Sequence, residues 1–124
     1  MKDTYFLTVN DGFRACARFI GCLSDELGSK NLATLADMMD EIPTRQSIDP
    51  AMYFVWSKLW GVAQLRSAEA VAPIAFDFIR QEGDWGYDEP ALWAAVLERL
   101  FKLTRPREPG VDMLWDRWAS CATQ

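Results

Sequence analysis

The sequence predicts an all-α fold, a compact single-domain bundle of five to six helices over residues 1–124. Half of the 124 residues are hydrophobic, which gives a chain of this length a sizeable core. These residues recur mostly at intervals of three and four, the period of an amphipathic helix. Glycines and prolines separate the periodic segments, and no run of alternating strands stands out.

The first predicted helix has the clearest periodicity. Its apolar stripe consists of Phe6, Val9, Phe13, Cys16, Ile20, Leu23 and Leu27. Asp3 or Thr4 can cap its start, and Gly28 suits a left-handed stop. Residues 10–12 are also a turn signal and residues 5–9 favour a strand, so we expect one long helix with a bend at that point.

Two shorter helices are predicted next. Ser29 offers a cap to the second helix, and Pro43 is expected to end it. Asp49 and Pro50 supply the cap and the first-turn proline of the third helix. The apolar face of the third helix is expected to include Met52, Val55, Trp56, Leu59, Trp60, Ala63 and Leu65 or Arg66.

The fourth and fifth helices are bounded by glycine, proline and acidic residues. The fourth is expected to start near Ser67 and to close at Gly83, while Pro73 should either begin its regular part or kink it. Asp88 is placed to cap the fifth helix, which opens with residues 89–90.

The last helix is predicted from Val111 to about Cys121, after a proline-rich connection over residues 104–110. Trp115 and Trp118 lie near the end of the chain and are expected to be partly exposed. The tryptophans on apolar helical stripes, Trp56, Trp60 and Trp93, are expected in the core.

The content of cysteine and histidine limits the chemistry of the chain. The sequence has no histidine, which excludes Ser–His and Cys–His catalysis and His-ligated metals. Cys16 and Cys22 on one helix would be separated by about 9 Å of rise and about 120° of rotation, too far to form a disulfide. Cys22 and Cys121 could meet in space, although nothing local implies it. We expect three reduced thiols.

Targeting signals are not recognised in the sequence. Residues 1–5 lack the basic and apolar regions of a signal peptide, and no apolar stretch has the length of a membrane span. These observations predict a cytoplasmic protein without a membrane partner.

The most informative acidic stretch covers residues 82–89. The chain carries 18 acidic and 13 basic residues, a net charge of −5, so nucleic acid is not the expected partner. Aromatic side chains provide contact area, and carboxylates complement lysine and arginine on a partner. An alternative interpretation is structural: Trp85 packs onto the core, Asp88 caps the next helix, and Glu89 interacts favourably with the dipole at the N-terminus of that helix. The candidate partner-binding residues here are Glu82, Asp84, Trp85, Tyr87, Asp88 and Glu89.

A second acidic group lies on the second helix, where Asp37, Asp40 and Glu41 share one face by their spacing. With Asp25 and Glu26 upstream, these carboxylates could collect a hard cation such as Mg²⁺ or Ca²⁺. A solvated acidic face explains them with fewer assumptions, so we predict no metal site and no cofactor.

Catalytic motifs are absent from the sequence. It contains no Gly-x-Ser-x-Gly motif, no Gly-x-Gly-x-x-Gly motif and no phosphate-binding Gly-Lys-Ser/Thr. No catalytic residues are assigned, and the chain is predicted not to be an enzyme.

In size, acidity, lack of a secretion signal and absence of catalytic groups, the chain resembles the bacterial immunity proteins of contact-dependent inhibition and related toxin systems. The resemblance implies that it binds a toxin domain, often a basic nuclease, and blocks its active site or substrate groove. The partner-binding residues are expected from the charge pattern, in the two acidic groups at 37–41 and 82–89. The oligomeric state is expected to be a monomer or a homodimer. Two other classes stay open: a homodimeric helical ligand-binding or adaptor protein, and a carboxylate metal-dependent hydrolase.

Overall fold

Six helices and one pair of two-residue strands make up most of the described chain. The computed structural model describes residues 6–45, 50–82, 89–104 and 112–122, and their side chains over 6–39, 52–82, 89–104 and 116–121. The predicted all-α class is confirmed. In chain order the elements are β1 (Phe6–Leu7), α1 (Val9–Leu27), α2 (Lys30–Arg45), α3 (Pro50–Trp60), β2 (Arg66–Ser67), α4 (Ala68–Gln81), α5 (Pro90–Leu103) and α6 (Asp112–Ala122).

Helix α1 begins later than the sequence predicts. Thr8 is its N-cap, and its hydroxyl accepts a hydrogen bond of 3.1 Å from the Asp11 N–H. The expected caps, Asp3 and Thr4, lie outside the described residues. From Val9 onward the helix is uninterrupted through residues 10–12, so the turn signal there does not end it.

The segment before Thr8 is extended. Strand β1 pairs antiparallel with β2, with Phe6 opposite Ser67 and Leu7 opposite Arg66. Because side chains alternate along a strand, Leu7 is buried while Phe6 is 61% exposed. The prediction that Phe6 belongs to the apolar stripe of α1 was therefore wrong.

Helix α1 lies at the centre of the bundle and contacts each of the other five helices. The predicted stripe residues Phe13, Cys16, Ile20 and Leu23 are all buried. Burial extends well beyond one stripe, because a central helix has neighbours on several sides. The additional buried residues of α1 are Gly12, Ala15, Ala17, Phe19 and Ser24.

The turn between α1 and α2 follows its predicted local chemistry. Gly28 adopts a left-handed conformation with φ of 70°, and its N–H donates to the Ser24 carbonyl at 2.8 Å. The Ser29 hydroxyl then accepts a hydrogen bond of 3.2 Å from the Leu32 N–H, as an N-cap does. Helix α2 continues through Pro43 to Arg45, so the expected stop at Pro43 was wrong. A proline two residues from the end removes only one of the helix's many backbone hydrogen bonds.

Helix α3 ends at Trp60, earlier than its apolar pattern predicts. Gly61 has a φ of 84°, a left-handed conformation that stops the helix. The Trp60 indole N–H donates to the Ala63 carbonyl at 2.9 Å, and the Arg66 guanidinium donates to the Trp60 carbonyl. The prediction that Ala63 and Leu65 or Arg66 continue the α3 face was wrong, because all three follow the end of the helix, and Leu65 is 56% exposed.

The boundaries of α4 and α5 agree with their sequence signals to within one or two residues. Ser67 caps α4 by accepting from the Ala70 N–H at 3.2 Å, and α4 runs through Pro73 as one helix. Pro90 is the first residue of α5, and Glu89 holds the N-cap position that the sequence analysis gave to Asp88. Asp88 and Gly83 lie outside the described residues.

Aromatic side chains fill much of the core. Phe13 meets Trp56 and Phe78 edge to face, with ring centroids 5.3 Å and 5.6 Å apart. Trp118 is fully buried, meets Phe19 at 5.4 Å, and donates its indole N–H to a backbone carbonyl of α4. The expected partial exposure of Trp118 was wrong, whereas Trp56, Trp60 and Trp93 are buried as predicted. The side chain of Trp115 lies outside those described.

Candidate functional site

An open groove lies where α1, α2 and α6 meet. Its volume is about 370 Å³, enough to receive a long side chain of a partner. The lining includes Arg18, Cys22 and Asp25 from α1, Asp37 from α2 and Cys121 from α6. One of the predicted partner-binding residues, Asp37, is therefore part of a concave surface.

Small residues on α1 and α2 shape the groove. Gly21, Ala33 and Ala36 are all part of its lining. A Cβ placed on Gly21 would lie 3.7 Å from the Ala36 Cβ, so the two helices approach closely there. Gly21 and Ala36 are equally distant in sequence from the turn at residues 28–29, as facing positions of a helical hairpin are. The depression therefore follows from short side chains on adjacent helices.

Two carboxylates enter the groove from different helices. Asp25 and Asp37 are both exposed, and among the described residues neither forms a salt bridge. The groove also contains Arg18, whose guanidinium donates to the Cys121 carbonyl at 3.4 Å. The lining thus carries two negative charges and one positive charge, with an excess of acid open to a partner.

Glu26, the neighbour of Asp25, has a different environment. Its carboxylate is 2.9 Å from the Arg117 Nη1 and 3.8 Å from the Arg99 Nε. These contacts connect α1 with α6 and α5. Because the groups are partly exposed, each pair contributes at most about 1 kcal/mol. Glu26 is thus engaged within the bundle, while the carboxylate of Asp25 stays open to the groove.

The three cysteines come together beside the groove. Cys22 is exposed, Cys16 and Cys121 are buried, and all three are free thiols. Cys22 and Cys121 both line the groove. Cys22 lies near enough to affect the titration of Cys121, and Cys121 near enough to affect that of Cys16. Burial, followed by the neighbouring Cys22, raises the pKa of Cys121 to about 12, although Arg18 and Arg117 oppose the shift. Burial, followed by Cys121, raises the pKa of Cys16 above its ordinary value of 9.0.

The acidic stretch at 82–89 is described only at its two ends. Glu82 is the C-cap of α4, and its backbone N–H donates to carbonyls in the last turn of that helix. Glu89 is half-buried, and its Oε1 accepts a hydrogen bond of 2.6 Å from the Ser29 hydroxyl. Asp84, Trp85, Tyr87 and Asp88 lie outside the described residues.

The contact between Ser29 and Glu89 relates the two predicted acidic groups in space. It brings the end of the 82–89 stretch to the first turn of α2. Asp37 lies further along the same helix, about 12 Å of axial rise from Ser29. Asp40 and Glu41 are on α2 as predicted, and their side chains lie outside those described. The hydrogen bond between Ser29 and Glu89 therefore connects the segment that carries one acidic group to the helix that carries the other.

The described residues show neither a metal cluster nor a membrane-spanning helix. No group of three or more potential ligands among them is arranged to hold a metal ion. No helix in the described ranges combines the length and the apolar character that crossing a bilayer requires.

The sequence does not reveal that Asp25 and Asp37 line one groove, nor that Cys22 and Cys121 both belong to it. The first could be suspected from the small residues placed symmetrically about the turn between α1 and α2. The second concerns positions 99 residues apart, and no local pattern reports such a proximity. Comparison with protein-family models, with curated proteins and with solved structures gives no match.

Proposed function

We propose that this protein is a non-catalytic binding protein that neutralises a cationic protein partner, as the bacterial toxin-immunity proteins do. The observation that carries the proposal is the groove between α1, α2 and α6. Asp25 and Asp37 both line it, and among the described residues neither is paired with a cation. A net charge of −5 and the acidic stretch at 82–89 support the same kind of partner.

The groove suits a basic side chain of a partner. Two carboxylates that line one concavity can both accept hydrogen bonds from a guanidinium, which favours arginine over neutral groups. Partial burial of such a pair strengthens it compared with a pair on a flat surface. A toxin nuclease relies on basic residues to hold its nucleic acid, so a protein that binds them excludes the substrate.

The negative net charge of the protein should raise the rate at which it associates with a cationic partner. Opposite net charges on two proteins raise the rate of encounter and orient the partners before contact. Aromatic residues at the interface then add tight contacts, and Trp85 and Tyr87 are the candidates for this role. In this proposal the acidic residues of the groove and of the 82–89 stretch attract the partner, and the aromatic residues of that stretch hold it by close contacts.

Self-association is a second candidate, favoured by exposed apolar side chains. Phe6 is 61% exposed, Leu65 is 56% exposed, and Val62 is fully exposed, all near the pair of short strands. Apolar groups of this kind are typical of interfaces. Light scattering distinguishes the candidates, because an adaptor of this type would be a dimer over the micromolar range without any partner.

The proposal is tested first by the gene neighbourhood and then by protection of growth. We expect a toxin-domain reading frame directly upstream, and co-expression of this protein should restore growth to cells that express that domain. The double variant D25K/D37K should lose this protection. E98K is the matched control, because Glu98 is exposed on α5 and outside the lining of the groove. If D25K/D37K protects as well as the natural sequence, the groove is not the binding site.

A further inference from the structure

Cys22 and Cys121 form a pair of thiols with unequal access to solvent. They belong to α1 and α6 and both line the groove. Arg18, which precedes Cys22 by one turn of α1, donates a hydrogen bond of 3.4 Å to the Cys121 carbonyl, so Cys121 lies against this part of α1. Cys22 is exposed in the groove, whereas only 2% of Cys121 is accessible. Nothing in the proposed binding function uses these two side chains.

We propose that Cys22 and Cys121 form a reversible disulfide when the protein meets hydrogen peroxide, which makes this pair an oxidative modification site that connects α1 to α6. The site is independent of whether the groove binds a toxin. Hydrogen peroxide is small enough to enter the open groove and reach Cys22.

The chemistry has two balanced steps. The Cys22 thiolate attacks one peroxide oxygen, the O–O bond breaks, and the leaving hydroxide takes up a proton to become water. Cys22 is then a sulfenic acid. The Cys121 sulfur attacks the Cys22 sulfur, the S–O bond breaks, and the displaced hydroxide leaves as a second water with the Cys121 proton. In total, two thiols and one peroxide give one disulfide and two waters.

The structure assigns different roles to the two thiols. Cys22 is the attacking thiol because it is accessible, and reactivity of cysteine follows exposure and thiolate content. Cys121 is the resolving thiol, since burial keeps it protonated and out of reach of the oxidant. Cys16 cannot pair with Cys22, because the two are six positions apart on α1, which separates them by about 9 Å of rise. Cys16 is the competing partner of Cys121, and the test has to separate these two pairings.

The disulfide would close a loop from residue 22 to residue 121, about four fifths of the chain. Cross-links between residues so distant in sequence reduce the conformational freedom of the unfolded state the most. We therefore expect the oxidised protein to have a melting temperature higher by roughly 10 °C.

The experiment treats the full-length protein with hydrogen peroxide at neutral pH, then counts free thiols in denaturant and maps the cross-linked peptides by mass spectrometry. The natural sequence should fall from three free thiols to one and lose the mass of two hydrogens, and dithiothreitol should restore all three. C16A should form the same cross-link, whereas C22S and C121S should form none.

A second measurement avoids any effect of the substitutions on folding. Brief alkylation of the native protein should modify Cys22 ahead of the other two thiols and should prevent the cross-link on later oxidation. The proposal is overturned if all three thiols persist after oxidation, if the mapped disulfide joins Cys16 to Cys121, if Cys22 is found only as a sulfinic acid, or if the product is a dimer joined through Cys22.

Discussion

The backbone of Gly12 lies directly against the ring of Trp60. A Cβ at Gly12 would be 2.5 Å from Cζ3 and 3.0 Å from Cη2 of that ring, closer than real contacts allow. Trp60 cannot easily move away, because its side chain is buried and its indole N–H is bonded to the Ala63 carbonyl. The close approach of α1 to the end of α3 therefore depends on a glycine in the first turn of α1.

We expect G12A to lower the free energy of unfolding by about 1–3 kcal/mol, because the added methyl group overpacks a rigid part of the core. G21A is the matched control. Its Cβ would meet only the Ala36 Cβ at an ordinary 3.7 Å, so the gain in helix propensity should stabilise the protein by about 0.5–1 kcal/mol. Urea denaturation of both variants measures the difference. A G12A protein at least as stable as the natural sequence would contradict the packing described for Trp60.

We expect S29A to cost about 1–2 kcal/mol of stability. The substitution removes the cap on the Leu32 N–H and leaves the half-buried Glu89 carboxylate without its 2.6 Å hydrogen bond. E89Q should cost less, because the amide oxygen can still accept from Ser29. Thermal and urea unfolding compare the two variants. Equal losses would mean that the charge of Glu89 contributes as much to stability as the cap and the Ser29 hydrogen bond together.

The free energy of unfolding is expected to fall as the pH rises above 9. Burial raises the pKa of Cys16 in the folded protein above its ordinary value of 9.0, so the unfolded chain releases this proton first. The stabilisation is complete below this value and is lost as the pH rises, by about 1 kcal/mol between pH 9 and pH 10. The difference in free energy of unfolding between the natural sequence and C16A should decrease by this amount over the same interval. A constant difference across that interval would show that Cys16 ionises normally in the fold.

The acidic stretch at 82–89 is tested by the double variant D84K/D88K. If these residues contact a cationic partner, the association rate should decrease and its dependence on salt should become flatter. Stopped-flow or surface-based kinetics at several salt concentrations provide the measurement, and circular dichroism checks that the helices remain. Unchanged kinetics would place the interface elsewhere and leave the groove as the remaining candidate.

Much of the fold could be predicted because helix ends are set by local chemistry. Ser29, Ser67, Gly28 and Pro90 each act within a few residues of their own position, and the structure uses all four as the sequence suggested. The spacing of apolar residues in α1 similarly reports which side of a helix is buried.

The predictions that were wrong depend on contacts between distant residues. Trp118 is near the end of the chain, where exposure is common, yet the Ala68 carbonyl and the Phe19 ring bury it completely. Phe6 fits the helical spacing, but pairing with Ser67 holds it in a strand. In both positions a tertiary partner overrides a correct local pattern.

The candidate site, too, could be predicted from the sequence only in part. The sequence identifies Asp37 as part of an acidic group, because the spacing of its neighbours is local information. Its position in one groove with Asp25, Cys22 and Cys121 arises only when α1, α2 and α6 are assembled. A charge pattern can therefore suggest a binding surface without indicating its shape.

The central position of α1 determines how this protein could be divided. Because α1 contacts each of the other helices, any cut of the chain after α1 produces one fragment with the centre and a second fragment with outer helices only. The second fragment would keep the contacts among its own helices, such as that of α4 with α5, but would lack the helix that all the others share, while the first would display an unfilled surface of that helix. Fragment complementation should therefore be asymmetric, with the piece that contains residues 9–27 acting as the template.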